Sequence, residues 1–283
     1  MNWFLYALLG AVLMSAYQVS TRVLLRSKGD SGAFTFITTF FGSLGLVLVL
    51  PFEKIRLVPT LLLLVGLLVF AAVFALVDLI FTKARQLEEV SVTSVAIQTG
   101  FFWSLLGAFL LFGESLSFRK VLGVLLILIG NLFIIWKGQK ITLSQGFLLA
   151  LLGTFLFNLV SFGDKRLVAS FSPVFYKSSL FLFESLWLLF ILGQHRLSRV
   201  TAELRVQGLG IVLVGPMIAF AVMFLNKSFE AGGEASKALP VFSLALIFST
   251  LAGIVFLGER GNLGRKILAM VLAFVGAYLI QSS

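Results

Sequence analysis

Long apolar runs alternate with short polar breaks along the whole chain. A helix that spans a bilayer needs roughly 20 mostly apolar residues, and ten runs are about this long. The runs cover residues 2–25, 33–51, 58–82, 89–112, 118–136, 145–168, 173–193, 206–228, 234–257 and 262–281. No break is long enough for a soluble domain. The pattern predicts an all-α integral membrane protein with ten transmembrane helices.

One turn sequence occurs twice in the chain. LFGESLSFRKVL at residues 111–122 is matched by FLGERGNLGRKIL at residues 256–268. The Gly-Glu pair of the first copy stands at residues 113–114, and the pair of the second copy follows 145 residues later. A repeat of this kind indicates two related halves. We therefore predict two five-helix repeats, residues 1–137 and 144–281.

Five spans in each repeat is an odd number, which fixes how the two repeats are related. The second repeat must enter the membrane from the opposite side, with a pseudo-two-fold axis in the membrane plane. Two inverted copies can form a cavity at their interface that opens to either side. The pattern favours a secondary transporter that works by alternating access. The alternative is a duplicated packing unit without transport.

Composition narrows the class of protein further. The chain is 59% hydrophobic and 12% charged, so its solvent must be lipid. It has no cysteine, and its one histidine, His195, lies in a polar break, so we predict no metal and no cofactor. No set of catalytic residues is evident, which disfavours an enzyme. We expect a multi-pass protein of the cell (plasma) membrane, as a monomer or weak dimer.

The net charge of +10 does not indicate nucleic acid in this setting. The basic residues stand at the ends of apolar runs, where anionic lipid headgroups are the natural partners. With the N-terminus inside, about seven Lys and Arg residues fall on cytoplasmic ends and about twelve on the other side. The positive-inside rule then favours an N-terminus outside.

The Gly-Glu pairs that close the fourth and ninth runs, each followed by a basic pair, carry a resemblance over essentially the whole chain. Together with Leu239-Pro240-Val241 in the ninth run, they resemble the EamA-type members of the drug/metabolite transporter superfamily. The resemblance implies a carrier of amino acids or other small metabolites, with its cavity between the halves, and we expect an exporter. It also implies cytoplasmic termini, in conflict with the charge distribution. A lipid-handling or scaffold protein is the alternative.

Polar residues inside apolar runs are candidates for the cavity wall, because an unsatisfied polar group costs several kcal/mol in hydrocarbon. On the fourth run Ser94 and Gln98 share one helical face, and Ser243 on the ninth run corresponds to Gln98. The candidate substrate-binding residues are Gln18, Asp78, Ser94, Gln98, Trp103, Asn158, Ser161, Asn226, Lys237 and Ser243. The alternative roles are interhelical hydrogen bonding, aromatic packing and, for the lysine, snorkelling to the headgroups.

Among the carboxyl groups within apolar runs, Asp78 in the third and Glu184 in the seventh are the candidates for chemistry. A buried carboxylate in lipid is protonated or paired. Both are therefore candidates to carry a coupling proton or to bind a substrate amine. The alternatives are structural ion pairs, of Glu184 with Lys177 through an intervening group and of Asp78 with Lys83 or Arg85.

Two prolines and two glutamates complete the candidates. Pro216 and Pro240 lie inside the eighth and ninth runs, where a proline removes a backbone hydrogen bond, and are candidate hinges. Glu114 and Glu259 stand at membrane edges, where we expect each to organise its turn or cap the next helix. Val95 stands where the repeat would place a proline matching Pro240, so we expect the two halves to be kinked unequally.

Overall fold

The computed structural model describes residues 2–24, 29–56, 61–87, 90–136, 143–256 and 262–283. Some side chains inside these ranges are left out of the description: Arg22, Val23, Leu62, Arg85, Gln86, Val90, Ser91, Val92, Ser94 and Phe256. The predictions for the side chains of Ser94 and Glu259 therefore lie outside the described residues.

Helices account for nearly all of the described chain, and ten segments are long and apolar enough to cross a membrane. The helices are α1 (Trp3–Leu24), α2 (Ser31–Val47), α3 (Leu61–Leu87), α4 (Val90–Gln98), α5 (Gly100–Phe112), α6 (Phe118–Ile135), α7 (Gln145–Leu167), α8 (Pro173–Ile191), α9 (Arg196–Gln207), α10 (Gly210–Glu230), α11 (Ala235–Phe242), α12 (Ala245–Phe256) and α13 (Leu263–Gln281). The pairs α4/α5 and α11/α12 form the fourth and ninth spans. The predicted all-α fold with ten spans is confirmed.

The contact between α6 and α13 displays the inverted relation of the two repeats. A Cβ atom added to Gly123 would lie 2.6 Å from the Gly276 carbonyl oxygen, and one added to Gly130 would lie 2.7 Å from that of Ala269. An offset of 146 residues converts Gly123 to Ala269 and Gly130 to Gly276. The two close approaches therefore exchange under a pseudo-two-fold axis between α6 and α13. Only glycine allows the backbones to approach this closely.

Both ends of the chain lie on one face of the helix bundle, which we call the terminal face. A Cβ atom on Gly233, just before α11, would lie 3.2 Å from the Cβ of Trp3. Near the same helix start, the Lys237 ammonium donates to the carbonyl of the last residue, Ser283. The spans alternate in direction, so the connection between α8 and α10 lies on the opposite face, which we call the α9 face.

Helix α9 differs from the prediction, because the sequence pattern gave a polar break at residues 194–205. The structure forms a helix there, Arg196–Gln207. It carries three arginines and exposed apolar side chains at Leu197 and Val206. A short helix with basic and apolar positions suits the plane of a membrane interface. The pattern of apolar runs did not predict α9, because this segment is too polar to be recognised as a membrane span.

The fourth and ninth spans are both interrupted, and α5 and α12 begin 145 residues apart. In each case a hydroxyl group bonds the carbonyl three residues earlier: Thr99 Oγ1 donates to Ala96 O at 2.7 Å, and Ser243 Oγ donates to Pro240 O at 2.7 Å. The same bond occurs inside uninterrupted helices, for example from Ser185 to Leu182 in α8, so it does not by itself cause the break. The fourth span is interrupted even though Val95 stands in place of a proline.

Candidate functional site

The two repeat-related polar positions of the interrupted spans meet at one side chain. Asn131 of α6 donates through Nδ2 to Gln98 Oε1 at 3.0 Å and lies 3.5 Å from Ser243 Oγ. Asn131 is 0% exposed, and its Oδ1 has no hydrogen-bond partner among the described residues. We call these three residues the amide cluster. The cluster joins the fourth and fifth spans of the first repeat to the ninth span of the second.

Asn131 was not among the substrate-binding residues predicted from the sequence. The available signal was an amide within the otherwise apolar stretch of α6, next to Gly130. Amide side chains inside a membrane form hydrogen bonds between helices, so Asn131 was as strong a candidate for the buried polar cluster as Gln98. What the sequence could not show is that one side chain of the fifth span joins both interrupted spans.

The sixth span faces the interruption of the fourth. A Cβ atom on Gly100 would lie 3.2 Å from Asn158 Nδ2 of α7, so a side chain there would displace the amide. Asn158 donates to the Thr154 carbonyl at 2.9 Å. Trp103 packs edge-on against Phe155 of α7, with ring centroids 4.9 Å apart. Asn158 and Trp103 are thus brought to the junction of the fourth and sixth spans.

The other predicted substrate-binding residues lie apart from the amide cluster or have local partners. Gln18 is exposed on α1, and the Ser161 hydroxyl donates to the carbonyl of Phe157 on its own helix at 2.9 Å. Asn226 on α10 is fully buried, and neither of its amide atoms has a partner in the described part of the chain. Lys237 lies at the terminal face, where it pairs with Glu234 at 3.2 Å.

The two candidate hinges have different surroundings. Pro216 lies inside α10, which continues from Gly210 to Glu230, and its ring faces Gly45 of α2 at 3.1 Å from an added Cβ atom. Pro240 lies in α11, three residues before Ser243, at the interruption of the ninth span. Of the two, only Pro240 stands beside a break in its helix.

A Gly-Glu turn connects the two repeats at the terminal face. Gly113 ends α5 with φ of 62°, a left-handed conformation that favours glycine. The next residue, Glu114, accepts hydrogen bonds from Lys165 Nζ at 2.5 Å, from the Ala235 amide at 2.8 Å and from the Ser236 amide at 3.0 Å. The Ser236 hydroxyl donates to it as well. We call Glu114, Lys165 and Ser236 the latch.

The latch crosses between the repeats, which the sequence did not indicate. Glu114 belongs to the first repeat, whereas Lys165 and Ser236 belong to the second. We expected Glu114 to act on its own turn or on the next helix, but it caps the start of α11. Burial opposes ionisation of Glu114, yet the hydrogen bonds from Lys165 and Ser236 outweigh burial and hold its pKa below the ordinary value.

Three further ion pairs join the two repeats at this face. They are Lys120–Glu234, Lys227–Glu53 at 3.0 Å and Arg56–Glu230 at 3.0 Å. The last two border a cavity of about 420 Å³ that Ser172 also lines. Together with the latch, these pairs join the two repeats at the terminal face.

A second charged group lies between α3, α7 and α8, and we call it the carboxyl cluster. Lys177 Nζ donates to Asp164 Oδ2 at 2.7 Å, and the Tyr176 hydroxyl donates to Asp164 Oδ1 at 2.5 Å. The Glu184 carboxyl group is close enough to that of Asp78 for the two to interact. The structure thus brings the two predicted coupling residues together and adds Asp164, which was not among the predicted site residues.

The ion pairs that were alternatives for these residues are arranged differently. Lys177 forms its ion pair with Asp164 rather than Glu184 and acts on Glu184 only through its charge. Asp78 interacts with Glu184, while Lys83 is exposed at the end of α3. The Arg85 side chain lies outside the described residues.

On the α9 face, Asp30 joins the first repeat to helix α9. Its carboxylate accepts from Arg199 Nε at 2.5 Å and caps α2 by accepting from the amides of Gly32 and Ala33. The hydrogen bond from Arg199 is the largest cause that lowers the pKa of Asp30 from its ordinary value of 3.8.

Asp30→Asn is expected to weaken the acid sensitivity of the protein. Because the folded-state pKa is lowered, the contribution of Asp30 to stability is present above its ordinary value of 3.8 and is lost as the pH falls through the folded-state value. Asparagine keeps the helix cap but does not titrate, so the variant should lose at most about 1 kcal/mol at pH 7. Its unfolding temperature, followed in detergent from pH 7 downward, should fall less than that of the unsubstituted protein. Parallel curves would contradict this role.

Ten spans in two inverted repeats, with matched interruptions beside a buried polar cluster, define a multi-pass membrane transporter of the drug/metabolite type. The family whose sequence pattern matches is the EamA-like transporter family, over residues 1–136 and 144–282. The chain belongs to this family, which is part of the drug/metabolite transporter superfamily and consists of transporters rather than enzymes.

A solved structure is similar to this chain. A crystal structure superposes on it with a TM-score of 0.70 at 18% sequence identity, over 98% of each chain. At this identity the likeness concerns the fold alone. No curated protein matches the chain.

Proposed function

We propose that the protein is a secondary transporter that exports small zwitterionic metabolites such as amino acids across the plasma membrane. Transport takes place by alternating access at a site between the two repeats. The observation that carries the proposal is the amide cluster, in which Gln98 and Ser243 from the two interrupted spans meet a buried acceptor on Asn131. The export direction rests on the family resemblance.

The chemistry of the site supports a zwitterionic solute. Each interruption is a single tight turn inside a span, where the Thr99 and Leu244 amides donate to carbonyls three residues earlier, at 3.1 Å in both cases. Interrupted helices line the substrate and ion sites of other transporter folds. An ammonium group fits the free oxygen of Asn131, and Trp103 offers an aromatic wall at the junction of the fourth and sixth spans. The described part of the interrupted spans places no arginine here that would select a polyanion.

The terminal face supports the alternating-access mechanism. Four ion pairs join the repeats there, and one of them belongs to the latch. For a solute to leave through the terminal face, these ion pairs must separate. For it to leave through the α9 face, they must stay formed. Ion pairs at a partly hydrated edge suit this task, because each contributes only modestly and water can replace it.

The proposal is tested by ligand-induced stabilisation of the purified protein in detergent. Amino acids, sugars, nucleosides and cationic drugs are screened, and the hit is then tested for counterflow into proteoliposomes. A ligand at 100 times its Kd raises the unfolding free energy by about 2.7 kcal/mol. We expect amino acids to stabilise the protein and Gln98→Ala to weaken their affinity roughly tenfold, because a buried hydrogen-bond partner is lost.

The matched control is Gln194→Ala, which removes an exposed glutamine far along the chain from the interruptions. Its affinity should equal that of the unsubstituted protein. Amino-acid binding that survives Gln98→Ala unchanged would remove Gln98 from the site. Stabilisation by lipids alone, without counterflow of any solute, would instead support a lipid-handling protein.

A further inference from the structure

The cavity of about 420 Å³ at the terminal face is lined mainly by charged side chains from both repeats. Its polar lining residues are Glu53, Lys54, Arg56, Ser172, Lys227 and Glu230. Three cations face two carboxylates, so one positive charge is in excess among these residues. The Arg56 side chain is 49% exposed, so the cavity is open to the edge of the bilayer, where lipid headgroups lie.

Both carboxylates of the cavity are engaged by protein groups. Glu53 Oε1 accepts from Lys227 Nζ at 3.0 Å, and Glu53 Oε2 accepts from the Val174 amide at 3.1 Å, at the start of α8. Glu230 Oε1 accepts from Arg56 Nη2 at 3.0 Å. The negative groups of the cavity are therefore already neutralised, and the excess positive charge is left for another anion.

Two of the cations keep hydrogen-bond donors without a protein acceptor. Arg56 also donates through Nη2 to the carbonyls of Val168 and Phe171, whereas its Nε and Nη1 have no acceptor in the described part of the chain. Lys54 is exposed and forms no ion pair with any residue that the structure describes. A guanidinium group with free N–H donors suits a phosphate oxygen especially well.

Ser172 adds a buried hydroxyl group without a partner. It is 3% exposed, and its Oγ has no hydrogen-bond partner among the described residues. Ser172 precedes α8 at the position where a serine side chain ordinarily caps the helix, but it makes no such bond. Glu53 caps α8 in its place. An unpartnered buried hydroxyl is uncommon, and this one lines the cavity beside the partly positive end of α8.

The first repeat shows which chemistry fits this position. Helices α2 and α8 are repeat counterparts, and Asp30 and Ser172 are the residues that precede them. Arg56 and Arg199 each follow the second span of their own repeat. On the α9 face Arg199 Nε donates to the Asp30 carboxylate at 2.5 Å. The terminal face has the arginine but a hydroxyl group in place of the carboxylate, so a ligand can supply the missing oxyanion.

We propose that this cavity binds a phosphate group, carried either by an anionic phospholipid or by a soluble phosphate compound. Arg56 and Lys54 provide the charge, and the Ser172 hydroxyl donates to a phosphate oxygen. The single negative charge of a phosphodiester equals the excess positive charge of the cavity. Because the lining comes from both repeats, a bound phosphate strengthens the contact between them. The site lies apart from the amide cluster and does not depend on the proposed transport function.

The unfolding temperature of delipidated protein in a neutral detergent tests the site. Short-chain phosphatidylglycerol and inorganic phosphate are each titrated at constant ionic strength into the unsubstituted protein and into Ser172→Ala. This substitution removes no hydrogen bond to a described residue and no charge, so the unfolding temperature without ligand should not change. We expect a saturable rise for the unsubstituted protein and a roughly tenfold weaker apparent affinity for Ser172→Ala, because a hydrogen bond to a charged group is lost.

Two further variants complete the experiment. Ser172→Asp brings a carboxylate to the position that Asp30 has in the other repeat, so it should abolish the response to both ligands. If this variant fails to fold, Ser172→Ala still gives the answer. The matched control is Ser198→Ala, at an exposed serine of α9, which should respond like the unsubstituted protein.

The two ligands distinguish the sources of the phosphate. A Ser172-dependent rise with phosphatidylglycerol alone identifies a lipid headgroup, and one with inorganic phosphate identifies a soluble phosphate compound. No rise with either ligand, or a rise that the Ser172 variants leave intact, overturns the proposal. Gln98→Ala should keep the full phosphate response. Failure of this test therefore leaves amino-acid binding at the amide cluster standing, and failure of the amino-acid screen leaves the phosphate site standing.

Discussion

Lys177→Met is expected to lower the free energy of unfolding by about 3–5 kcal/mol, because it leaves Asp164 buried without its counter-charge. Lys177 is 1% exposed, its ammonium lies 2.7 Å from Asp164 Oδ2, and it also stands 4.6 Å from the centre of the Phe74 ring. Methionine fills much of the same volume, so the loss reports the charge rather than a cavity. The measurement is the midpoint of unfolding in detergent at neutral pH.

The double variant Asp164→Asn/Lys177→Met separates the charge from other causes. Removing both members of a buried pair is far less harmful than removing one, so we expect the double variant to regain most of the lost stability. Lys54→Met, at an exposed lysine, is the matched control and should change stability by at most about 0.5 kcal/mol. A single variant as stable as the unsubstituted protein would show that Asp164 needs no ammonium partner.

The ten membrane spans could be predicted from the sequence because lipid imposes a simple requirement on them. A segment that crosses hydrocarbon must be helical and apolar over about 20 residues, and each predicted run ends within a few residues of the observed helix. The exceptions are instructive. Helix α9 was not predicted because its sequence is too polar for a membrane span, and the interruption of the fourth span is a single turn at Thr99 that no proline marks.

The partners of the buried polar groups could not be read from the sequence in the same way. Spacing along one helix places Lys177 and Glu184 on one face, but their seven-residue separation is about 10 Å along the axis, too far for direct contact. The tight turn between α7 and α8 brings Lys177 to Asp164 instead. Likewise Gln98 and Ser243 were matched by the repeat, yet the residue that joins them, Asn131, follows from how the helices rotate and cross.

The repeated Gly-Glu motif was recognised in the sequence, but the contacts of its glutamate were expected to be local and are not. Its glycine ends α5 as expected of a left-handed cap. Its glutamate was expected to act within the same turn, since turns and caps are local features of sequence. In the folded protein the carboxylate instead reaches the other repeat, so the motif joins the two halves at the terminal face.

Glu114→Gln is expected to open the terminal face. Ala238→Cys is the reporter, because it places the only thiol of this cysteine-free chain at a fully buried position of α11. We expect a thiol-reactive label to modify it roughly ten- to a hundredfold faster in the Glu114→Gln variant. A hydrogen bond to a charged group contributes about 1.5–3 kcal/mol, and each 1.4 kcal/mol changes the ratio of closed to open protein about tenfold. Glutamine keeps one acceptor for the amides of Ala235 and Ser236 but loses the charge that holds Lys165. The variant should therefore stay folded while the open state becomes more populated.

Glu203→Gln is the matched control for this prediction, because it removes a buried glutamate charge on the α9 face, where Glu203 accepts from the Asp30 amide at 2.8 Å. If the latch holds the terminal face closed, only the substitution at Glu114 should speed labelling of the reporter. Equal rates in both variants would mean that the loss of any buried charge loosens the bundle, and the latch would then be a packing contact. The latch would be tied to transport by two results together. The labelling rate would rise only for Glu114→Gln, and it would fall again when a solute that favours the closed terminal face is added. A ligand shifts an equilibrium only between states that it binds unequally.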